Sequence, residues 1–215
     1  MTQINPDKYS VAWFKLAEFV VRKEKEKALG IFKLLSYSIK DSALISQLEG
    51  DLLLSFQDSK AIESYHRAAI DYENSERFIE ACAVYEHLLN LETNSIEYAQ
   101  KILDLSKNVK NEAKILRSWC LLFEVLAKKN MWKEIDDRCA QATNFFEDSR
   151  IIHEEVVNIV LRQKSYEKKF LHYHLNRAIE YLLEVDNKKL QQFIARLAAS
   201  DNDAYKHASR ILEKN

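Results

Sequence analysis

Small and apolar residues return along this chain at helical spacing, in a two-part pattern that occurs six times. The first part occupies relative positions 0, 3, 4 and 7, with a few polar intruders. It reads Trp13, Leu16, Ala17, Val20; Ser46, Glu49, Gly50, Leu53; Ala81, Val84, Tyr85, Leu88; Trp119, Leu122, Phe123, Leu126; His153, Val156, Val157, Val160; and Leu190, Phe193, Ile194, Leu197. The second part follows at positions 0, 4 and 7. It reads Ala28, Phe32, Leu35; Ala61, Tyr65, Ala68; Tyr98, Ile102, Leu105; Ile135, Cys139, Ala142; Leu171, Leu175, Ala178; and Ala204, Ala208, Ile211. Such spacing puts each set on one face of a helix, so each unit of the pattern predicts a pair of helices.

Polar breaks divide the pattern. Asn5-Pro6-Asp7 offers an N-cap, a proline at the first helical position and a carboxylate near the positive helix end. Asp41-Ser42, Asp58-Ser59, Asn74-Ser75, Asn94-Ser95, Asp148-Ser149 and Ser200-Asp201 are breaks of the same kind, and Asn94 with Glu97 resembles a capping box. Asn108, Asn130 and Asp186-Asn187 mark softer boundaries. The breaks predict about twelve helices. They run near residues 7–23, 26–39, 42–56, 59–73, 76–91, 95–107, 110–128, 131–146, 149–163, 166–185, 187–199 and 201–213. The linkers are a few residues long, which lays each helix antiparallel against the next. Successive first-part anchors lie 33, 35, 38, 34 and 37 residues apart. A simple bundle has no reason to repeat on that scale, whereas stacked helical hairpins do. No Ser/Gly-rich linker or low-complexity stretch interrupts residues 1–215, which predicts one continuous domain. Residues 188–215 are richer in polar and small side chains, as a capping hairpin at the C-terminal end would be.

This spacing resembles the tetratricopeptide repeat, whose first helix carries Trp-x2-Leu-Gly-x2-Tyr and whose second carries Ala-x3-Phe-x2-Ala. Trp13-x2-Leu16-Ala17-x2-Val20 with Ala28-x3-Phe32-x2-Leu35 matches, as does the spacing of Trp119-x2-Leu122-Phe123-x2-Leu126 with Ile135-x3-Cys139-x2-Ala142. The resemblance spans nearly the whole chain through degenerate repeats. The small first-helix residue survives as Ala17 and Gly50, and the closing proline is missing. A second frame exists in the middle: Tyr65-x2-Ala68-Ala69-x2-Tyr72 followed by Ala81-x3-Tyr85-x2-Leu88 makes the fourth helix a first helix. Helical-hairpin arrays like those of vesicle-fusion adaptor proteins share the same coarse pattern. The resemblance implies an all-α fold, a right-handed superhelical array of about six antiparallel hairpins, with the first helices lining a concave groove.

Carried onto this chain, the groove would hold Glu18, Asp51, Glu86, Glu124, Asn158 and Ala195, each five residues after an anchor. Val11, Leu44 and Ile79 would flank it on one side and Val21, Leu54 and Leu89 on the other, with Phe14, Gln47, Cys82, Cys120 and Glu154 between. An apolar groove with a carboxylate stripe suits an extended or helical peptide carrying Lys or Arg, because apolar anchors supply affinity and charges set orientation. The plainer reading pairs these acids with neighbouring Lys and Arg, where exposed charges contribute little. The carboxylate clamp that some relatives use needs Lys and Asn where Phe14 and Glu18 stand, and Asn where Leu48 stands, so the resemblance does not extend to it. The expected role is a non-enzymatic scaffold or adaptor holding a partner protein or peptide. The alternative is a regulatory sensor whose array closes on a peptide or metabolite, and a third class is a helical enzyme with its site in the groove.

Composition narrows these classes. Lys plus Arg number 32 against 33 Asp plus Glu, giving a net charge of -1 and no global attraction to nucleic acid or anionic lipid. The runs Arg22-Lys23-Glu24-Lys25-Glu26-Lys27 and Lys164-Ser165-Tyr166-Glu167-Lys168-Lys169 fall at helix–helix turns and read as solvated. Two isolated glycines supply no phosphate-cradling loop. Cys82, Cys120 and Cys139 are odd in number and lie on apolar-periodic segments, which predicts reduced, partly buried thiols and a cytoplasmic setting. No window reaches the apolar length of a membrane span, and residues 1–10 lack a signal-peptide core. His153, His172 and His174 invite a metal reading, but His172 and His174 point to different helix sides, and His66 and His87 have no His or Cys at a useful interval, so neither a metal nor another cofactor is expected. Acid pairs such as Asp136-Asp137 and Glu154-Glu155 are neighbours in sequence rather than carboxylates facing across a cleft, and no catalytic residue is expected. Trp13 and Trp119 stand at core positions of the pattern, while Trp132 opens a helix, where it staples against the adjacent one.

Overall fold

A computed structural model describes residues 6–142, 145–146 and 151–213, with side chains from Val11 onward. The expected Asn5 cap and the Asp148-Ser149 break lie outside the described residues. Every element among the described residues is helical, with no strand. The chain divides into two compact units, one ending at Glu92 and one beginning at Thr93.

The first unit contains α1 (Pro6–Val21), α2 (Lys25–Ser36), α3 (Ser42–Ser55), α4 (Lys60–Asn74) and α5 (Phe78–Leu91). Helix α1 packs on α2, α3 on α4, and α4 also on α5. The second unit contains α6 (Ile96–Ser106), a 3₁₀ turn (Lys107–Val109), α7 (Glu112–Lys128), α8 (Trp132–Ala142), α9 (Ile151–Val160), α10 (Lys168–Val185), α11 (Asn187–Ser200) and α12 (Asn202–Leu212). There α6 packs on α7, α7 on α8 and α9, α9 on α10, and α10 on the α11–α12 pair. The boundary falls inside the hairpin expected over 76–107. Both frames read from the middle of the sequence describe real neighbours, since α4 touches α3 and α5 alike.

The two-part pattern maps onto burial. Every second-part residue is buried except Ile211, which is half-buried. The first-part sets of α5 and α7 are wholly buried, and Trp119 and Phe123 are among the largest enclosed side chains. Trp13 departs from its expected core position: it is 41% exposed, because among the described residues of the first unit α1 packs on α2 and the edge of α3 alone. At Gly50 α3 lies close against α4. A Cβ there would stand 2.8 Å from the Tyr65 ring.

Capping chemistry fixes the helix starts. Asp41 accepts from the Leu44 amide at 3.1 Å, Asn111 from Lys114 at 3.0 Å and Asp186 from Lys189 at 3.0 Å. Asp201 accepts from Asp203 and Ala204 at 2.9 Å. At α6 the cap is Ser95, which accepts from Tyr98 at 3.3 Å, one residue after the Asn94 expected from the capping-box pattern. Helix ends share a device that the sequence conceals. Lys23, Gln57, Glu76 and Asn130 all sit in the left-handed region, at φ 60°, 57°, 56° and 57°. In each case the next residue's amide donates to a carbonyl five residues back: Glu24 to Phe19, Asp58 to Leu53, Arg77 to Tyr72 and Met131 to Leu126. This is the Schellman closure that glycine usually provides. Its recurrence turns the chain the same way after α1, α3, α4 and α7.

Candidate functional site

The first unit carries an apolar cleft of about 390 Å³ among α1, α2 and α3. Trp13, Ala17, Val20 and Val21 line one wall, Phe32 comes from α2, and Leu48, Leu52 and Asp51 from α3. Val21 is 81% exposed, and Phe14 on the same helix is 76% exposed. The amphipathic pattern explains both: Leu16 is buried in the cluster with α2, while among the described residues of the first unit no further helix packs against the remaining apolar side of α1. Asp51 is the charged group of the cleft lining, and its Oδ1 accepts from the Tyr65 hydroxyl at 2.6 Å. Burial and that carboxylate push the Tyr65 phenol well above its ordinary pKa, so it stays a donor.

The other residues expected in a groove are distributed as follows. Val11, Leu44 and Ile79 are exposed. Gln47 accepts from Tyr72 at 3.0 Å. Glu18 pairs with Arg22 at 2.6 Å. Cys82 and Glu86 are half-buried on α5, and no ion pair reaches Glu86 among the described residues. In the second unit Glu124, Glu154 and Asn158 are brought together by two arginines that sequence reasoning did not single out. Arg162 meets Glu124 at 3.3 Å, and Arg196 meets Glu154 at 3.3 Å and Asn158 at 3.5 Å. Most of the expected acidic stripe therefore has partners within the chain, as the plainer reading of those charges anticipates. Cys120 is half-buried nearby, and burial followed by the charge of Glu155 pushes its thiol up to about 12. The basic run at 22–27 is tied to acids too: Lys25 to Asp58 and Lys27 to Glu24.

A polar array in the second unit, with the buried His174 between the half-buried His153 and the exposed Asp136, joins α8, α9 and α10. His174 is fully enclosed. Its Nε2 lies 3.0 Å from Asp136 Oδ1, and its Nδ1 lies 2.7 Å from His153 Nδ1. Asp136 accepts, so His174 carries its proton on Nε2 and offers Nδ1 as the acceptor for His153 Nδ1–H. Both rings are neutral. Burial lowers His174 to about 3, with the neighbouring His153 adding to it, and burial with the Arg177 charge lowers His153 to about 4. Asp136 is raised by burial and by the charges of Asp137 and Glu167. The pair escaped the sequence reading because its members come from different helices, 21 residues apart. His172 indeed faces the other way, stacking on His207 with ring centroids 3.9 Å apart. Trp132 packs on Phe170 at 5.4 Å. Among the described residues no group of three or more His, Cys, Asp or Glu side chains is arranged to hold a metal ion. No described helix is long and apolar enough to cross a membrane. No family model matches the chain, and no curated protein matches it.

Proposed function

We propose that the chain is a non-enzymatic docking module of the helical-repeat, tetratricopeptide-like kind, and that the cleft of α1, α2 and α3 takes an apolar helix of a partner protein. The observation that carries this reading is the exposed wall of Trp13 and Val21 over an apolar cleft with a single carboxylate, Asp51, in its lining. Leaving such side chains wet forgoes about 1.5–3 kcal/mol each relative to full burial. A partner helix with apolar residues at i, i+3 or i+4, and i+7 recovers that, and a Lys or Arg on it meets Asp51. Three free cysteines fit a cytoplasmic setting for such an adaptor.

The test is a displayed library of helical peptides selected on the intact protein and counter-selected on Val21→Asp. The reading expects enriched sequences with an apolar stripe and a basic residue, whose binding weakens at least tenfold with Trp13→Ser or Asp51→Lys. Enrichment of peptides that bind these variants as well as the parent would refute it.

A further inference from the structure

Helix α12 packs on both α10 and α11, yet little of what holds it there is apolar. Its buried side chains are Ala204 and Ala208, with Ile211 half-buried. Its neighbour α11 encloses Leu190, Phe193 and Leu197 by comparison. Hydrophobic stabilisation scales with apolar area, so two methyl groups contribute little. What ties α12 to α10 is a polar ladder. Lys168 Nζ meets Asp203 Oδ2 at 3.0 Å, and His207 Nε2 lies 2.8 Å from Asn176 Oδ1. Between them His172 stacks on His207, with ring centroids 3.9 Å apart and planes 3° from parallel. The Lys168 and Asp203 side chains are 69% and 50% exposed, and an ion pair so wet adds little to stability.

The connection to α11 is as spare. Helix α11 ends at Ser200 and α12 begins at Asn202, so the linker is Asp201 alone, at φ −152° and ψ 108°. Rotation at that residue swings α12 away and leaves α11 in place. An 11-residue helix is marginal in water once it stands alone, so α12 unravels when it leaves. Elements with few buried apolar contacts open ahead of the rest of a domain. The groove beneath has its preference written in its occupant. Ala204 and Ala208 stand four apart and let the α12 backbone lie close. Asp203, one position earlier, faces Lys168 and His172.

We propose that α12 is a detachable strap over a helix-binding groove formed by α10 and α11, whose ligand is a partner helix of the same chemistry. That helix carries small residues at i and i+4, an aliphatic one at i+7 and a carboxylate at i−1. It enters when α12 leaves, so its apparent affinity is its intrinsic affinity reduced by the fraction of chains that are open. This goes beyond the docking role assigned to the first unit and uses none of its residues, so either can fail alone.

The experiment titrates the full chain into a fluorescein-labelled peptide copying residues 201–213 and reads anisotropy. Ala208→Asp in the chain sets a carboxylate under the strap and loosens it, while the walls from α10 and α11 keep their sequence. The proposal expects this chain to bind the peptide at least tenfold more tightly than the parent does. The same substitution in the peptide should abolish binding. In H172C/H207C, a disulfide across the stacked pair should shut the groove, and reduction should reopen it. Amide exchange in the parent should run at least tenfold faster in α12 than in α10. Equal affinity of the parent and the Ala208→Asp chain, no saturable binding to that chain, or undiminished binding of the substituted peptide would each overturn the proposal. So would undiminished binding by the disulfide-closed form, or exchange in α12 no faster than in α10.

Discussion

Acidification should loosen the second unit through His174 and His153. Both imidazoles are neutral in the fold, held near 3 and 4, against 6.5 when free. A base whose folded pKa is lowered binds its proton more readily in the unfolded chain. Its contribution is therefore intact above pH 6.5 and is lost as pH falls toward 4. Between pH 7.5 and 5.0 each unfolded imidazole gains about 2 kcal/mol of protonation free energy that the folded one does not. The pair thus removes up to about 4 kcal/mol, which lowers Tm by on the order of 10–20 °C for a unit of this size. Asp136, raised by burial, works in the opposite direction and makes this an upper limit. Asp104 and Asp201 in the same unit are lowered, so their contributions fade only at more acid pH. The assay is urea or thermal unfolding in a Trp13→Phe background, which leaves Trp119 and Trp132 as reporters in the second unit. His174→Phe removes one imidazole and frees His153 from its partner, so the acid-induced loss should shrink to about 2 kcal/mol or less. A parent protein whose stability is flat from pH 7.5 to 5.0, or a variant that loses as much as the parent, would refute the reasoning.

Gly50→Ala gains helix propensity of about 1 kcal/mol but drives a methyl against the Tyr65 ring. That ring is enclosed and anchored to Asp51, so the cost of overpacking, about 1–3 kcal/mol, should win and lower the unfolding midpoint. Gln57→Gly and Glu76→Gly relieve left-handed backbone, worth about 1–2 kcal/mol each before the added flexibility of the unfolded chain is subtracted. Each should raise stability by a few tenths to about 1 kcal/mol in the same assay. Cys120 and Cys139, whose thiols burial pushes up, should react with a disulfide reagent at pH 7.5 far more slowly in the native protein than in urea. Equal rates would contradict their burial.

The periodicity carried the helices and many of the faces they bury. Helical spacing names residues by the face they share, and the second-part residues, from Ala28 to Ala208, are the ones that went inside. Trp13 broke the rule because burial also needs a neighbour. Periodicity reports a helix's apolar side, not whether another helix covers it. The C-terminal turns at Gln57 and Glu76 left no mark in the sequence, because left-handed helix ends usually carry glycine and these carry long polar side chains. The candidate sites were less legible. Glu124 and Glu154 stand at groove positions of the pattern, but the arginines that meet them lie 38 and 42 residues further along. Charge pairing between helices depends on side-chain reach across a packed interface, which a one-dimensional pattern does not encode. The His153–His174 contact has the same origin.

Amide hydrogen exchange with and without a library-selected peptide tests the docking role most directly. The account predicts slowed exchange in α1 and α3, lost in Val21→Asp while the unliganded exchange pattern stays unchanged. Slowed exchange confined to other helices, or protection that survives Val21→Asp, would contradict it.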